Sequence, residues 1–243
     1  SKINWDQFTI QRRGGITAIK PFPISIAFSN TFQNENNQKQ TRNELREIVY
    51  KRIGFIPKYL GVGVDRIDYT KGIVERFNAV ERFIEKYPEY IGQFTFVELG
   101  APSRTHIKRY HDLMAELDET VDRINWRFQS KEWKPIVFLK AHHNHEQINL
   151  FYKAADLCMV TSLHDGMNLV AKEFISSRDD EDGVLILSQF TGAARELQDA
   201  LIINPYSTEE VADAIHTSIT MNPKERKERI KRMRAIIRDR NVY

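Results

Sequence analysis

The chain has 243 residues, 41% hydrophobic and 28% charged, with a net charge of +3. That length can bury a full core as one large or two small domains, and the small positive surplus does not point to nucleic acid. No apolar run approaches the roughly 18 residues of a membrane helix. Ser1–Asp6 carries no apolar leader, so no signal peptide is expected, and the single cysteine, Cys158, excludes an intrachain disulfide and fits a reducing, cytoplasmic setting.

In chain order, residues 1–15 are polar, Arg12–Gly15 reads as a turn, and Ile16–Ile19 as a short strand. The Asn/Gln-rich stretch 30–40 reads as a loop, and Asn43–Ile53 as a helix. Strands and helices then alternate. The strands are expected at Tyr59–Val64, Phe94–Leu99, Pro135–Leu139, Leu157–Thr161, Gly183–Ser188 and Leu201–Ile203. The helices are expected at Ile73–Tyr87, Ser103–Val121, His145–Ala155, from Met167, near Ala193–Leu197 and at Thr208–Ile219. The last stretch, Lys224–Arg240, has nine basic residues against three acids, with Ile230, Met233 and Ile237 on one face, and reads as a docked amphipathic helix with a solvated basic face. Near-continuous apolar strands alternating with amphipathic helices predict an α/β fold, a parallel sheet covered on both faces. Ligands of such sheets bind at the carboxyl ends of the strands.

Two of those ends carry candidate chemistry. After Leu157–Val160 comes Thr161–Glu173, with Gly166 in the turn, Asp165 before the helix and Glu173 about two turns along it, roughly 12 Å away. A helix N-terminus offers free N–H groups to a diphosphate, and the carboxylates offer acceptors to sugar hydroxyls. The plainer alternative is Asp165 as an ordinary N-cap and Glu173 as a solvated helix residue. After Tyr59–Val64 come Arg66, Lys71 and Gly72, a fork and a compact ammonium suited to a diphosphate, or else two surface charges. Other patterns carry less. Gly61-Val62-Gly63 lacks the third glycine of a dinucleotide turn and lies within the strand. Asp180-Glu181-Asp182 has the spacing of a divalent-ion motif but reads as a solvated loop. His142, His143 and His145 lack further ligands for a metal.

The strings VDRIDYTKG at Val64–Gly72 and DGMNLVAKE at Asp165–Glu173 resemble the donor-binding half of trehalose-6-phosphate synthases, retaining glycosyltransferases of the two-domain GT-B architecture. The resemblance runs from about Lys58 to Ala214. It implies a Rossmann-like domain over residues 31–220, preceded by a lead-in and crossing segment over 1–30 and followed by the basic helix, 221–243. At the crossing, Ser25 and Ala27 stand where the family has glycine and aspartate. The implied reaction moves glucose from a nucleoside diphosphate glucose, UDP-glucose by expectation, to glucose 6-phosphate. The resemblance gives Arg66 and Lys71 the diphosphate, Asp165 the glucose hydroxyls, and the backbone of Gly166, Met167, Asn168, Leu169 and Val170 the sugar and phosphates. It gives Glu173 the ribose, Arg104 the acceptor phosphate, and places His142 and His143 near the base. It calls for no cofactor and no metal, basic side chains and helix dipoles serving instead. It also implies a missing N-terminal acceptor domain, so that the chain alone binds nucleotide without turnover. A sister enzyme with another acceptor, such as glycerol 3-phosphate, and a non-catalytic regulatory domain are the alternatives.

Overall fold

The computed structural model describes residues 2–20, 22–28, 40–104 and 106–240. The chain opens with three short antiparallel strands, β1 (Lys2–Asn4), β2 (Thr9–Arg12) and β3 (Gly15–Ala18). Arg12 pairs with Gly15 across the expected turn. β1 and β2 correct the reading of residues 1–15 as merely polar. Their side chains are mostly exposed, so no alternation of buried and polar positions marks them in the sequence. The stretch 30–40 lies, except for Gln40, outside the described residues.

A capping box starts α1 (Arg42–Ile53): the Thr41 hydroxyl accepts from the Glu44 N–H, and the Glu44 carboxylate accepts from the Thr41 N–H. Six parallel strands follow, β4 (Tyr59–Arg66), β5 (Phe94–Ala101), β6 (Ile136–Leu139), β7 (Leu157–Val160), β8 (Val184–Ser188) and β9 (Leu201–Ile203). Their order across the sheet is β6-β5-β4-β7-β8-β9. The chain enters at the middle, works out to one edge, returns, and works out to the other. The reversal falls between β4 and β7, where sheets of this kind open a crevice for ligands.

Helices α2 (Ile73–Lys86), α3 (Lys108–Phe128) and α6 (Thr208–Thr220) cover one face of the sheet. The other face is covered by α1, α4 (His145–Ala154), α5 (Leu169–Ser177) and α7 (Pro223–Asp239). Strand β4 divides its side chains accordingly. Leu60, Val62 and Val64 pack against the second group of helices, while Gly61 and Gly63 leave room for Phe94 and Phe96 of β5.

Three helices differ from expectation. α3 begins at Lys108, not Ser103, and ends at Phe128, not Val121; Arg104 takes a φ of +49°, which a helix cannot contain. α5 begins at Leu169, not Met167, because Asn168 has a φ of +68° and serves as its N-cap. The short helix near Ala193 is a 3-10 turn, Gly192–Arg195.

Helix α7 buries Ile230, Met233 and Ile237 as its pattern implies. Its basic face is not simply solvated: Arg226 pairs with Asp182, Lys227 and Lys231 with Glu181, and Arg232 with Asp199. The run Asp179–Asp182 is correspondingly no loose solvated loop. Asp182 also holds Arg42 of α1, and Asp180 holds the buried Arg178, which donates to the carbonyls of Tyr152, Lys153 and Ala155 at the end of α4. Among the described residues, no cluster of three or more His, Cys, Asp or Glu could hold a metal ion, and no helix is long and apolar enough to cross a membrane.

Candidate functional site

The crevice between β4 and β7 is built from two loops. At the end of β4, Asp68 caps a 3-10 turn, Tyr69–Lys71, by accepting from the Thr70 N–H at 3.0 Å and the Thr70 hydroxyl at 2.9 Å. Gly72 then turns the chain into α2 with a φ of +63°. A Cβ there would lie 2.3 Å from the Thr161 carbonyl oxygen, so both conformation and space require glycine.

The second loop follows β7 and is clamped from both sides. Leu163 donates to the Thr70 carbonyl at 2.8 Å, and Asp165 to the Phe190 carbonyl at 3.1 Å. Gly192 and Ala193 donate back to the carbonyls of Asp165 and Met167. Asn168 caps α5 through the Ala171 N–H, and its Nδ2 donates to Asp165 Oδ2 at 3.1 Å. Asp165 is therefore not the N-cap. Relieved of that role, it meets Lys71 across the crevice, Nζ to Oδ2 at 2.6 Å. Burial raises the Asp165 carboxyl, but the hydrogen bond and charge of Lys71, with help from Asn168 and the Met167 N–H, hold it below the usual carboxylate range. The leading N–H groups of α5, at Leu169 and Val170, precede the helix's own ladder and open beside this pair.

Of the other expected residues, Arg66 is exposed at the tip of β4, and its side chain has no hydrogen bond or ion pair among the described residues. Arg104 stands in the loop before α3, not at a helix start, and donates to the Tyr110 hydroxyl at 3.1 Å; Tyr110 in turn donates to Asp68 Oδ2 at 3.0 Å. Arg104 is thus joined through Tyr110 to the turn that carries Lys71. His143 lies in the loop after β6, half-buried, with Nε2 buried and without a hydrogen-bond partner among the described residues. Glu173 is half-buried, not solvated, and accepts from the Tyr152 hydroxyl at 3.4 Å. Burial raises its carboxyl, partly offset by His145 and by Tyr152.

Sequence reasoning missed what lies beneath the pair. Arg76 of α2 is wholly buried and bonds Asp65 at 2.8 Å, Glu98 at 2.6 Å and the Thr161 hydroxyl at 2.9 Å. A Cβ on Gly63 would lie 2.2 Å from Glu98 Oε2 and 2.4 Å from Arg76 Nη1, so that glycine serves the ion cluster and no dinucleotide. Burial raises Glu98 to about 7 against the attraction of Arg76, with Asp65 raising it further. A readable signal existed: Arg76 falls within the apolar stripe of α2, and Glu98 interrupts an apolar strand.

A model of glycosyltransferase family 20 matches residues 2–243, well beyond the Lys58–Ala214 span of the motif resemblance. An alpha,alpha-trehalose-phosphate synthase (UDP-forming) of Botryotinia fuckeliana is 39% identical over 224 residues, covering 92% of this chain and 42% of that protein. A crystal structure of an alpha,alpha-trehalose-phosphate synthase (UDP-forming) from Burkholderia xenovorans in complex with glucose-6-phosphate has a TM-score of 0.87 at 33% identity, covering 96% of this chain and 51% of that one. An E. coli trehalose-6-phosphate structure bound with UDP-2-fluoro glucose gives 0.86 at 32% identity, over 96% and 53%. The chain spans 42–53% of the length of these relatives, and its fold is the Rossmann-like half of a GT-B glycosyltransferase. On these matches, the chain belongs to glycosyltransferase family 20.

Proposed function

We propose that this chain is the donor-binding half of a retaining glycosyltransferase that moves glucose from UDP-glucose to glucose 6-phosphate, giving trehalose 6-phosphate. The observation that carries the reading is the contact of Lys71 with Asp165 at 2.6 Å, at the strand reversal and beside the N-terminus of α5. The relatives are named as UDP-forming trehalose-phosphate synthases, and the Burkholderia structure holds glucose-6-phosphate, which favours this base and this acceptor.

In this reading the diphosphate lies between Arg66, Lys71 and the backbone amides from Gly166 to Val170. Charge builds on the leaving phosphate as the glycosidic bond breaks, and cations already in place favour the transition state over the ground state. Asp165, kept ionised by Lys71, accepts from glucose hydroxyls. Glu173 accepts from the ribose, His143 borders the base, and Arg104 reaches the acceptor phosphate. The departing phosphate oxygen takes the proton of the acceptor hydroxyl on the same face of the sugar, so the configuration is retained without a carboxylate nucleophile. Arg66 and Lys71 do this work with no metal cofactor. Residues 1–30 form the lead-in and crossing segment and 31–220 the donor domain, which is followed by α7 (Pro223–Asp239). The acceptor pocket belongs to a second domain, so the chain alone binds donor without turnover. The buried Cys158 thiol fits a reducing, cytoplasmic setting.

Calorimetric titration with UDP and UDP-glucose, beside Lys71→Ala, tests this. Binding on the order of micromolar to millimolar, lost in the variant, is expected. Silence toward UDP, GDP and ADP alike overturns the reading.

A further inference from the structure

Three separate segments bring the donor groups together: β4 delivers Arg66, the following turn delivers Lys71, and the loop after β7 delivers Asp165. One side chain touches or ties all three. Arg76 bonds Asp65, the neighbour of Arg66, through Nη2 at 2.8 Å. Its Nε donates at 2.9 Å to Thr161, four residues before Asp165, and the Thr161 hydroxyl donates at 3.1 Å to the carbonyl of Gly72, next to Lys71. Its Nη1 holds Glu98 of β5 at 2.6 Å. The guanidinium is 0% exposed, and its Nη2 also lies 3.5 Å from the Lys71 carbonyl oxygen.

Energetics argue against reading this cluster as ordinary stabilisation. Burying three ions costs about as much as their attraction returns, and well-packed apolar groups often do as well. What a planar fork supplies, and apolar packing does not, is fixed direction toward several partners at once. We infer that Arg76 is the positioning residue of this site, setting where Arg66, Lys71 and Asp165 meet. The inference rests on the donor reading for its ligand but not for its geometry.

The cluster also carries a charge consequence. With Asp65 and Glu98 both ionised around one guanidinium, a surplus negative charge lies beneath the place proposed for a diphosphate. Among the described residues Glu98 Oε1 has no hydrogen-bond partner, so a proton there removes that surplus. Glu98 is faced by Asp65 on β4 and Arg76 on α2, with Cys158 on β7 also within its electrostatic reach.

Two measurements on this chain test the inference. Amide hydrogen exchange without ligand reads the positions directly in Arg76→Lys, with Arg76→Met as a second variant should the lysine fail to fold. Protection at Leu163 and Asp165 is expected to fall tenfold or more while β8 amides at Leu185–Leu187 stay unchanged; an equal loss across both regions means a merely structural residue and overturns it. UDP-glucose, whose phosphates do not titrate between pH 6 and 8, is then titrated calorimetrically at both ends of that range. Wild-type affinity is expected to fall several-fold from pH 6 to 8, and Glu98→Gln to flatten the profile; an unchanged slope in the variant means that Glu98 does not set it and overturns the charge consequence. Failure of the wild type to bind UDP-glucose at either pH removes the donor reading, and the exchange pattern still decides the role of Arg76.

Discussion

Gly63→Ala places one methyl group against the buried Arg76–Glu98 ion pair. An ideal Cβ there lies 2.2 Å from Glu98 Oε2, 2.4 Å from Arg76 Nη1 and 2.9 Å from Phe96 Cζ. None of these atoms is the loose end of an exposed chain, since Arg76, Glu98 and Phe96 are all 0% exposed. Overpacking alone costs about 1–3 kcal/mol. If the methyl parts Arg76 from Glu98, an unpaired buried charge adds roughly 3–5 kcal/mol. The sum, about 4 kcal/mol or more, is a large part of the 5–15 kcal/mol that holds a typical domain. With a urea slope of about 2 kcal/mol per molar, the unfolding midpoint falls by roughly 2 M. Gly14→Ala, where nothing among the described residues lies within 4 Å of the added Cβ, is the control and moves little. A Gly63→Ala midpoint within about 0.3 M of wild type refutes the claim that the cluster is tightly packed and dictates this glycine.

Glu98→Gln changes how stability depends on pH. Glu98 titrates near 7 in the folded chain against 4.5 ordinarily, so between those values the folded state keeps a proton that the unfolded chain releases, and stability falls as pH rises through that window. Urea melts at pH 5 and 8 are expected to show the wild type losing on the order of 2–3 kcal/mol more than the variant; parallel profiles refute the assignment. Asn168→Gly keeps the positive φ of 68° without strain and costs stability only a few tenths of a kcal/mol as a cap. It removes the bond to Asp165, so weakened UDP-glucose binding in a protein with a near-normal melt is expected, and unchanged affinity counts against a role for Asn168. Burial raises the Cys158 thiol far above its ordinary range, so iodoacetamide is expected to label it only after unfolding, as intact-mass spectrometry would read.

The strings around Lys71 and Asp165 were legible because the side chains proposed to hold the sugar nucleotide stand next to apolar runs that mark β4 and β7. The order of strands was not written there, yet it alone brings residues 71 and 165 to one crevice. Arg76 and Glu98 were readable only as a pair. Each looks like a stray charge in its own element, and only the juxtaposition of α2 with β5 makes them partners. The starts of α3 and α5 were misplaced because Arg104 and Asn168 take left-handed φ values, +49° and +68°. For Asn168 the tolerance of asparagine for that region was an available hint; for Arg104 no local signal exists. The strands β1 and β2 went unread because neither of their faces is buried. The paired state of the acidic run 179–182 depends on α1 and α7, elements more than a hundred residues upstream and about forty downstream.

The strand reversal has a kinetic consequence. Lys71 and Asp165 are 94 residues apart, and Arg76 and Thr161 are 85 apart. Closing a segment of that length costs on the order of 4 kcal/mol of chain entropy, before any contact in the crevice repays it. β4 can pair locally with β5 through a single crossover, whereas its other neighbour, β7, arrives only after β6 and α4 have been made. The nucleotide binding proposed for this crevice is therefore a capacity acquired late in folding, once β7 has docked against β4. A chain emerging from the ribosome cannot acquire it until residue 165 and the strand before it are outside, and recovery of UDP-glucose affinity during refolding will lag behind recovery of helical signal.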